Sequence, residues 1–258
     1  MRYIPELIEV RLERRYKRFL ADVHTPLLPE GAQQLEGEPA GTFTVHCANP
    51  GSMKGLVEPN ARAWIFDSGN PKRKLRYSLE LVETREGAIV CVNTVRANAL
   101  IWETLELKRI PQLAHLVFRP EVSWGEGAHR SRFDFAFWAS GADPTAPPPL
   151  GYLEVKSVTY APDPRAQSGR VAFPDAVTAR GLKHLDALSE VVQQGYRAVL
   201  CFCVNRNDAR SVTIAEEIDP AYAAGLRRAK AVGVEVIAIR AEATPSEHYV
   251  TELIPFEF

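Results

Sequence analysis

The first stretch of the chain alternates apolar and polar positions in short runs separated by turn residues. LIEVRLERRYKRFLADV is long enough for one bent strand, although its Arg-rich middle alternates poorly. TFTVHC, ARAWIFD, LRYSLELVE and AIVCVNT supply four more strands rich in β-branched and aromatic residues. The segment from His24 to Gly41 carries three prolines, three glycines and two glutamines, the composition of a long loop. Five short strands in this space predict a small closed or half-closed β-barrel of the OB type.

The pattern changes at Thr94. TVRANALIWETLELKRI repeats its apolar residues at three- and four-residue steps (Ala97, Leu100, Ile101, Leu105) and predicts a helix closed by Pro111. Three strands follow, LVFRPEVSW, RSRFDFAFWA and GYLEVKSV, with the loop SGADPTAPPP between the second and third. A helix is predicted from about Asp175 to Gln194, with Leu182, Leu185, Leu188 and Val192 on one side and Gly195 as its stop. YRAVLCFCV is almost continuously apolar, as a strand covered on both faces should be. Asp219 and Pro220 open a last helix that ends at Gly233, and VEVIAI is the strand after it. The expected fold is α+β: a five-stranded OB-like barrel over residues 1–92, then an αβββαβ unit with an appended αβ and a mixed sheet over 93–258.

Composition narrows the function classes. At 258 residues and 46% hydrophobic, the chain has ordinary globular character and room for two domains. No apolar run approaches the ~20 residues that span a bilayer, and the charged N-terminus lacks a signal-peptide core, so a cytoplasmic protein without membrane contact is expected. Cys47 and Cys91 are isolated, while Cys201 and Cys203 sit two apart in an apolar run without further metal-type partners; buried thiols in a reducing compartment are expected. With 31 basic against 32 acidic residues the net charge is −1, which excludes a uniformly basic nucleic-acid coat. A polyanion site has to be a local concentration of Lys and Arg.

The chemistry sits on two of the predicted strands. In RSRFDFAFW strict alternation puts Phe133, Phe135 and Phe137 on one face and Arg132, Asp134 and Ala136 on the other. A carboxylate set among phenylalanines is anomalous unless it has a partner. In GYLEVKSV the same alternation puts Glu154 and Lys156 together. If the two strands pair, Asp134 and Glu154 approach and repel unless a cation lies between them. A hard divalent ion, Mg2+ or Mn2+, suits such oxygen ligands. It would support phosphodiester hydrolysis, with Lys156 stabilising phosphate charge or positioning the attacking water. The alternative for the same residues is a buried structural ion network. Glu121, on the strand before, is the expected third ligand, ahead of Glu103 and Glu106 on the first helix; His46 and His129 are not expected as ligands. No phosphate-binding Gly loop, dinucleotide fingerprint, G-x-S-x-G or H-E-x-x-H is present.

An acid on one strand, E-x-K on the next, then a helix and a strand, resembles the PD-(D/E)XK nuclease superfamily, with Phe133 where the motif has proline. A literal Pro174-Asp175 lies on the wrong side of the E-V-K. More specifically, RRYKRFLADV, VHCANPGSMKG, NPKRK, CVNTVRAN, SRFDF, YLEVKSVT and FPDAVTARGLKHL resemble successive blocks of the sugar fermentation stimulation protein family, covering nearly the whole chain. The resemblance implies an N-terminal OB-like domain, a nuclease-like C-terminal domain and DNA binding. The stimulation of sugar metabolism is a phenotype whose mechanism it leaves open.

Three basic clusters are candidates for that DNA. Arg11, Arg14, Arg15, Lys17 and Arg18, interleaved with Tyr16 and Phe19, suit a phosphate-tracking face with stacking rings, or a solvated edge strand. Lys72, Arg73 and Lys74, with Arg76, follow a turn at Asn70-Pro71. Arg180, Lys183 and His184 share a helix face next to the E-V-K strand, and Arg132 lies beside Asp134. Asn49-Pro50-Gly51-Ser52 reads as a turn that also has access to DNA. The expected partner is single- or double-stranded DNA in a local groove, with RNA as the alternative ligand of an OB barrel; a homodimer is compatible with cutting two strands. The competing function is a non-catalytic DNA-binding regulator on a nuclease-like scaffold.

Overall fold

The computed structural model describes residues 1–127, 130–146, 148–165 and 168–258, so His129 lies outside the described residues. The N-terminal strands are β1 (Ile8–Tyr16), β2 (Leu20–His24), β3 (Thr42–Cys47), β4 (Ala61–Asp67), β5 (Tyr77–Glu83) and β6 (Ile89–Cys91). They are ordered β3-β2-β1-β4-β5-β6, and a parallel pairing of β3 with β5 closes the first five into a barrel. Val10, Leu12, Val23, Phe43, Val45, Ile65 and Leu79 fill it.

The single bent strand expected at the start is instead the hairpin β1–β2. Lys17 (φ 48°) and Arg18 (φ 60°) turn the chain in the left-handed region. Such turns usually carry Gly or Asn, so this sequence holds no turn signal. The last expected strand, AIVCVNT, is the short β6, which pairs with β5 outside the closed barrel.

The second unit contains α1 (Val95–Glu106), a short 3-10 turn at Pro111–Leu113, β7 (Leu116–Trp124), β8 (Ser131–Ala139), β9 (Gly151–Val158) and β10 (Arg170–Phe173). α2 (Ala179–Gln193), β11 (Arg197–Val204), β12 (Ser211–Ile214), α3 (Pro220–Val232), β13 (Glu235–Ala243) and β14 (His248–Leu253) follow. The main sheet is mixed and ordered β14-β13-β11-β9-β8-β7; β9, β11 and β13 run parallel. α1 packs on one face against Phe135, Phe137, Leu153, Val199 and Cys201. α2 and α3 pack on the other against Tyr152, Leu200, Phe202 and Val204. β11 is buried on both faces, which its unbroken apolar run requires. All four cysteines are free and buried.

Two further expectations change. α2 begins at Ala179, where the Thr178 hydroxyl caps Gly181 N–H, so Asp175 precedes the helix rather than opening it. β10 and β12 form a separate two-stranded parallel sheet, and β14 extends the main sheet. β10 and β12 are four-residue runs far apart in sequence, whereas β14 folds straight back on β13 with Ala243 opposite His248. Among the described residues no helix is long and apolar enough to cross a membrane.

Candidate active site

The site forms where two strands separate. β8 and β9 pair at Phe135–Leu153, Ala136–Tyr152 and Phe137–Gly151, and the pairing goes no further toward Asp134. Asp134 fills the resulting gap. One carboxylate oxygen accepts the Val155 backbone N–H at 2.7 Å and the other accepts the Asn98 amide of α1 at 2.6 Å. Directly across β7, Glu121 has φ 58°, and the β7–β8 register stays in step on either side of this opposed pair.

Both strands exchange faces there. Phe135 and Phe137 pack toward α1, whereas Phe133 packs toward α2. Strict alternation therefore fails at Asp134, and the expected shared face of Phe133, Phe135 and Phe137 does not exist. A left-handed residue in a strand rotates the chain, and a non-glycine residue gives no warning of it.

Glu154 is buried, at 3% exposure. Its Oε1 accepts from Lys156 Nζ at 2.6 Å and from His184 Nδ1 of α2. Lys156 Nζ also lies 3.2 Å from His184 Nδ1, and Arg180 Nε lies 3.5 Å from His184 Nε2. The network thus assigns the His184 Nδ1 proton to Glu154. Glu154 Oε2 is buried without a partner among the described residues. Burial pushes the Glu154 pKa up, but the hydrogen bonds and charges of His184 and Lys156 outweigh it and hold the carboxyl below its usual range. Asp134 goes the other way. Burial, and then the Glu154 charge, push it up to about 6.

Asp134, Glu154 and Lys156 are therefore brought together, and His184 joins them as the support of Glu154 rather than as a surface cation. Asn98 was not legible beforehand, because attention to acids on α1 points to Glu103 and Glu106. Glu103 instead binds the N-terminal amine at 2.8 Å, and Glu106 is exposed. Glu121 borders the same cavity as Asp134, but its carboxylate pairs with Arg132 at 2.6 Å. Among the described residues no three His, Cys, Asp or Glu side chains converge in a metal-holding group. The unpartnered Glu154 oxygen, buried beside a second carboxylate, nevertheless fits a hard cation.

The basic clusters separate in space. Arg180 and Lys183 are exposed on α2 next to this site. On the barrel, Arg14 pairs with Asp22 at 2.7 Å and Glu38 at 3.0 Å. The Arg15 guanidinium donates to the carbonyls of Arg18, Asn49, Gly51 and Ser52. Lys17 and Arg18 are exposed at the hairpin tip, and Lys72 and Lys74 in their turn; Arg73 donates to Ser78 Oγ at 3.0 Å. Tyr16 is tied to Asp22, while the exposed Phe19 stacks on His46 with ring centroids 6.5 Å apart.

The loop held by Arg15 joins the two halves. Met53 N–H donates to the Asp175 carboxylate at 2.8 Å, Ser52 Oγ donates to the Asp175 carbonyl, and Thr94 N–H, just before α1, donates to the Ala48 carbonyl. The starts of α1 and α2 are thus tethered to one barrel loop, which lies against Asp175.

Comparison with known proteins agrees with this architecture. Residues 95–247 match the family model described as the sugar fermentation stimulation protein RE domain, and residues 14–92 match the SfsA N-terminal OB domain. A sugar fermentation stimulation protein homolog from Ectopseudomonas mendocina is 46% identical over 95% of this chain and 94% of the relative. Homologs from Teredinibacter turnerae and Roseobacter denitrificans are 43% and 40% identical, each over 99% of both chains. The structure of Pyrococcus furiosus SfsA in complex with Ca2+ superposes with a TM-score of 0.77 at 20% identity, covering 98% of this chain and 96% of that one. The two family models in succession and full-length identities at this level place the chain in the sugar fermentation stimulation protein family.

Proposed function

We propose that the protein binds DNA and hydrolyses its phosphodiester bonds with a divalent cation held by Asp134 and Glu154. The observation that carries this is Glu154, a buried carboxylate with one oxygen fixed by Lys156 and His184 and the other without a partner, next to a second carboxylate. Mg2+ or Mn2+ would supply Lewis-acid stabilisation of phosphate charge. His184 orients Glu154 so that Oε2 faces outward from the network. Lys156 Nζ, which donates to Glu154, would donate to a phosphate oxygen or hold the attacking water. Arg180 and Lys183 would receive the flanking phosphates. Glu121 joins the ligands only if it releases Arg132. The P. furiosus relative is described with Ca2+, a hard cation of the same oxygen-seeking kind.

Incubation of the full chain with single- and double-stranded DNA and Mg2+ or Mn2+ tests the proposal. Cleavage is expected to fall at least ~100-fold in Asp134→Asn and Glu154→Gln, on the scale of losing a charge-stabilising group. Undiminished cleavage in both variants overturns the assignment.

A second reading, DNA binding without catalysis, is favoured by one feature: the Glu154 charge is already compensated by Lys156. It predicts salt-dependent binding, with a slope of ~0.9 per phosphate contacted, and no metal-dependent cleavage. Competition between matched DNA and RNA strands separates the OB barrel's alternative ligand.

A further inference from the structure

We propose that the cavity beside Asp134 is a nucleobase pocket, so that the site takes a strand with an unstacked base next to the phosphate it binds. This rests on the nucleic-acid reading above and adds the substrate class, single-stranded or locally unpaired DNA. The cavity has a volume of about 240 Å3. That is below the ~300–1,000 Å3 that accommodates drug-sized ligands and suits a single flat heterocycle. Its lining is mainly carbon, from Trp102, Phe135, Ala99 and Pro120. The Trp102 and Phe135 rings lie nearly parallel, at 14° with centroids 5.7 Å apart, and Trp102 is only half-buried. Polar atoms come from Asn98, Glu121 and Asp134, so the apolar slot opens on one of the two carboxylates of the candidate metal site.

Chemistry selects the occupant. A phosphodiester at Asp134 and Glu154 carries its base one sugar away, and the cavity that Asp134 borders is lined by the half-buried ring of Trp102. Base–aromatic stacking contributes about 1–3 kcal/mol per base and tolerates any base, because every base has a π-face. A base can reach the slot only by leaving its own stack. In a duplex that costs a few kcal/mol, and in a single strand much less. The pocket therefore biases the site toward single strands with little sequence preference.

The test compares binding, with Ca2+ present, of a deoxyadenosine oligomer and an equally long strand of abasic units, read by fluorescence anisotropy. The wild-type protein is expected to prefer the base-bearing strand by about tenfold or more. Trp102→Ala should collapse that ratio, Trp102→Phe should keep most of it, and affinity for the abasic strand should stay unchanged. Ala99 is exposed on α1, so Ala99→Phe fills the slot without disturbing the core and should collapse the ratio too, even if Trp102→Ala fails to fold. DNA binding that persists with an unaltered ratio in Ala99→Phe overturns the pocket alone. Binding of neither strand overturns the pocket, and if duplex DNA is not bound either, the nucleic-acid reading is overturned with it.

Discussion

Two carboxylates a strand apart are held in opposite electrostatic states. Asp134 is pushed up to about 6 by burial and the Glu154 charge, while Glu154 is held low because Lys156 and His184 donate to it directly. A raised carboxyl stabilises the fold when protonated, so the Asp134 contribution is present below its unfolded pKa and lost as pH rises through about 6. The same proton competes with a cation. Affinity for Mn2+, measured by calorimetry, is expected to fall by about tenfold per pH unit below pH 6, to level off above it, and to lose this dependence in Asp134→Asn. The charged surface residues divide as clearly. Arg15 is committed to four backbone carbonyls, so Arg15→Ala should cost about 1–3 kcal/mol of stability, read by denaturant unfolding, and leave the salt slope of DNA binding unchanged. Joint replacement of Arg180 and Lys183 by Ala should flatten that slope by ~0.9 per contact and leave stability nearly unchanged. Asp134, Glu154 and Lys156 were legible because acids in apolar strands are anomalous. The role of His184 was not, since helix spacing shows which residues share a face and not what that face meets.

At the scale of elements, the site depends on a face exchange and a tether. β7 and β8 rotate together at Glu121 and Asp134, which frees the Val155 N–H for Asp134. The period-two pattern on either side of that point is regular, so the exchange is invisible in it. The tether is the Asn49–Met53 loop, clamped by Arg15 and bound to Asp175 ahead of α2. Gly51 leaves no room there: a Cβ at this position would lie 2.4 Å from Asp175 Oδ1. Gly51→Ala is therefore expected to destabilise by about 1–3 kcal/mol, and clearly less in an Asp175→Ala background; a double-mutant cycle in urea measures the coupling. Additive effects would mean that the loop and Asp175 are not in contact in solution. The expected turn over Asn49–Ser52 is instead a bend at Gly51, whose N–H donates to Asn49 Oδ1, and a change of direction there was legible from the residues. The loop's docking partner, more than a hundred positions away, was not.

At the scale of the molecule, the two halves are not independent. Met1–Leu7 runs along the C-terminal half before entering the barrel, with Tyr3 and Leu7 N–H donating to Ser246 and Pro245, and His248 N–H donating to Met1. Tyr3, Leu7, Trp64, Leu81 and Cys91 share a core with Ala243 of β13. Within this seam His248 is fully buried, with both ring nitrogens unpartnered among the described residues. Burial first, then the positive N-terminus and Arg96, lower its pKa to about 3. The folded state excludes a proton that the unfolded chain accepts near 6.5, so stability present above that pH is lost as pH falls toward 3. Between pH 7 and 5 the loss amounts to about 2 kcal/mol. It is opposed by Asp134, which gains stability over the same fall. In His248→Phe the decrease in Tm on going from pH 7 to 5 should be smaller by several degrees, with barrel and sheet still unfolding in one transition.

The sequence by itself determined the order of the three helices and of the strands β7, β8, β9, β11 and β13 after Thr94, though not β10, β12 or β14, together with the small β-barrel before them, the fully buried β11, the capped last helix and the three residues of the E-x-K constellation. These follow from period, caps and apolar runs, which are local properties of the chain. Only the tertiary structure decided that β1 and β2 form a hairpin, that both strands exchange faces at Asp134, that His184 fixes Glu154, that Arg15 serves a loop, and that a cavity opens beside Asp134. Each of these depends on which surfaces meet across long stretches of chain, and hydrophobic patterning records that a position is covered without recording by what.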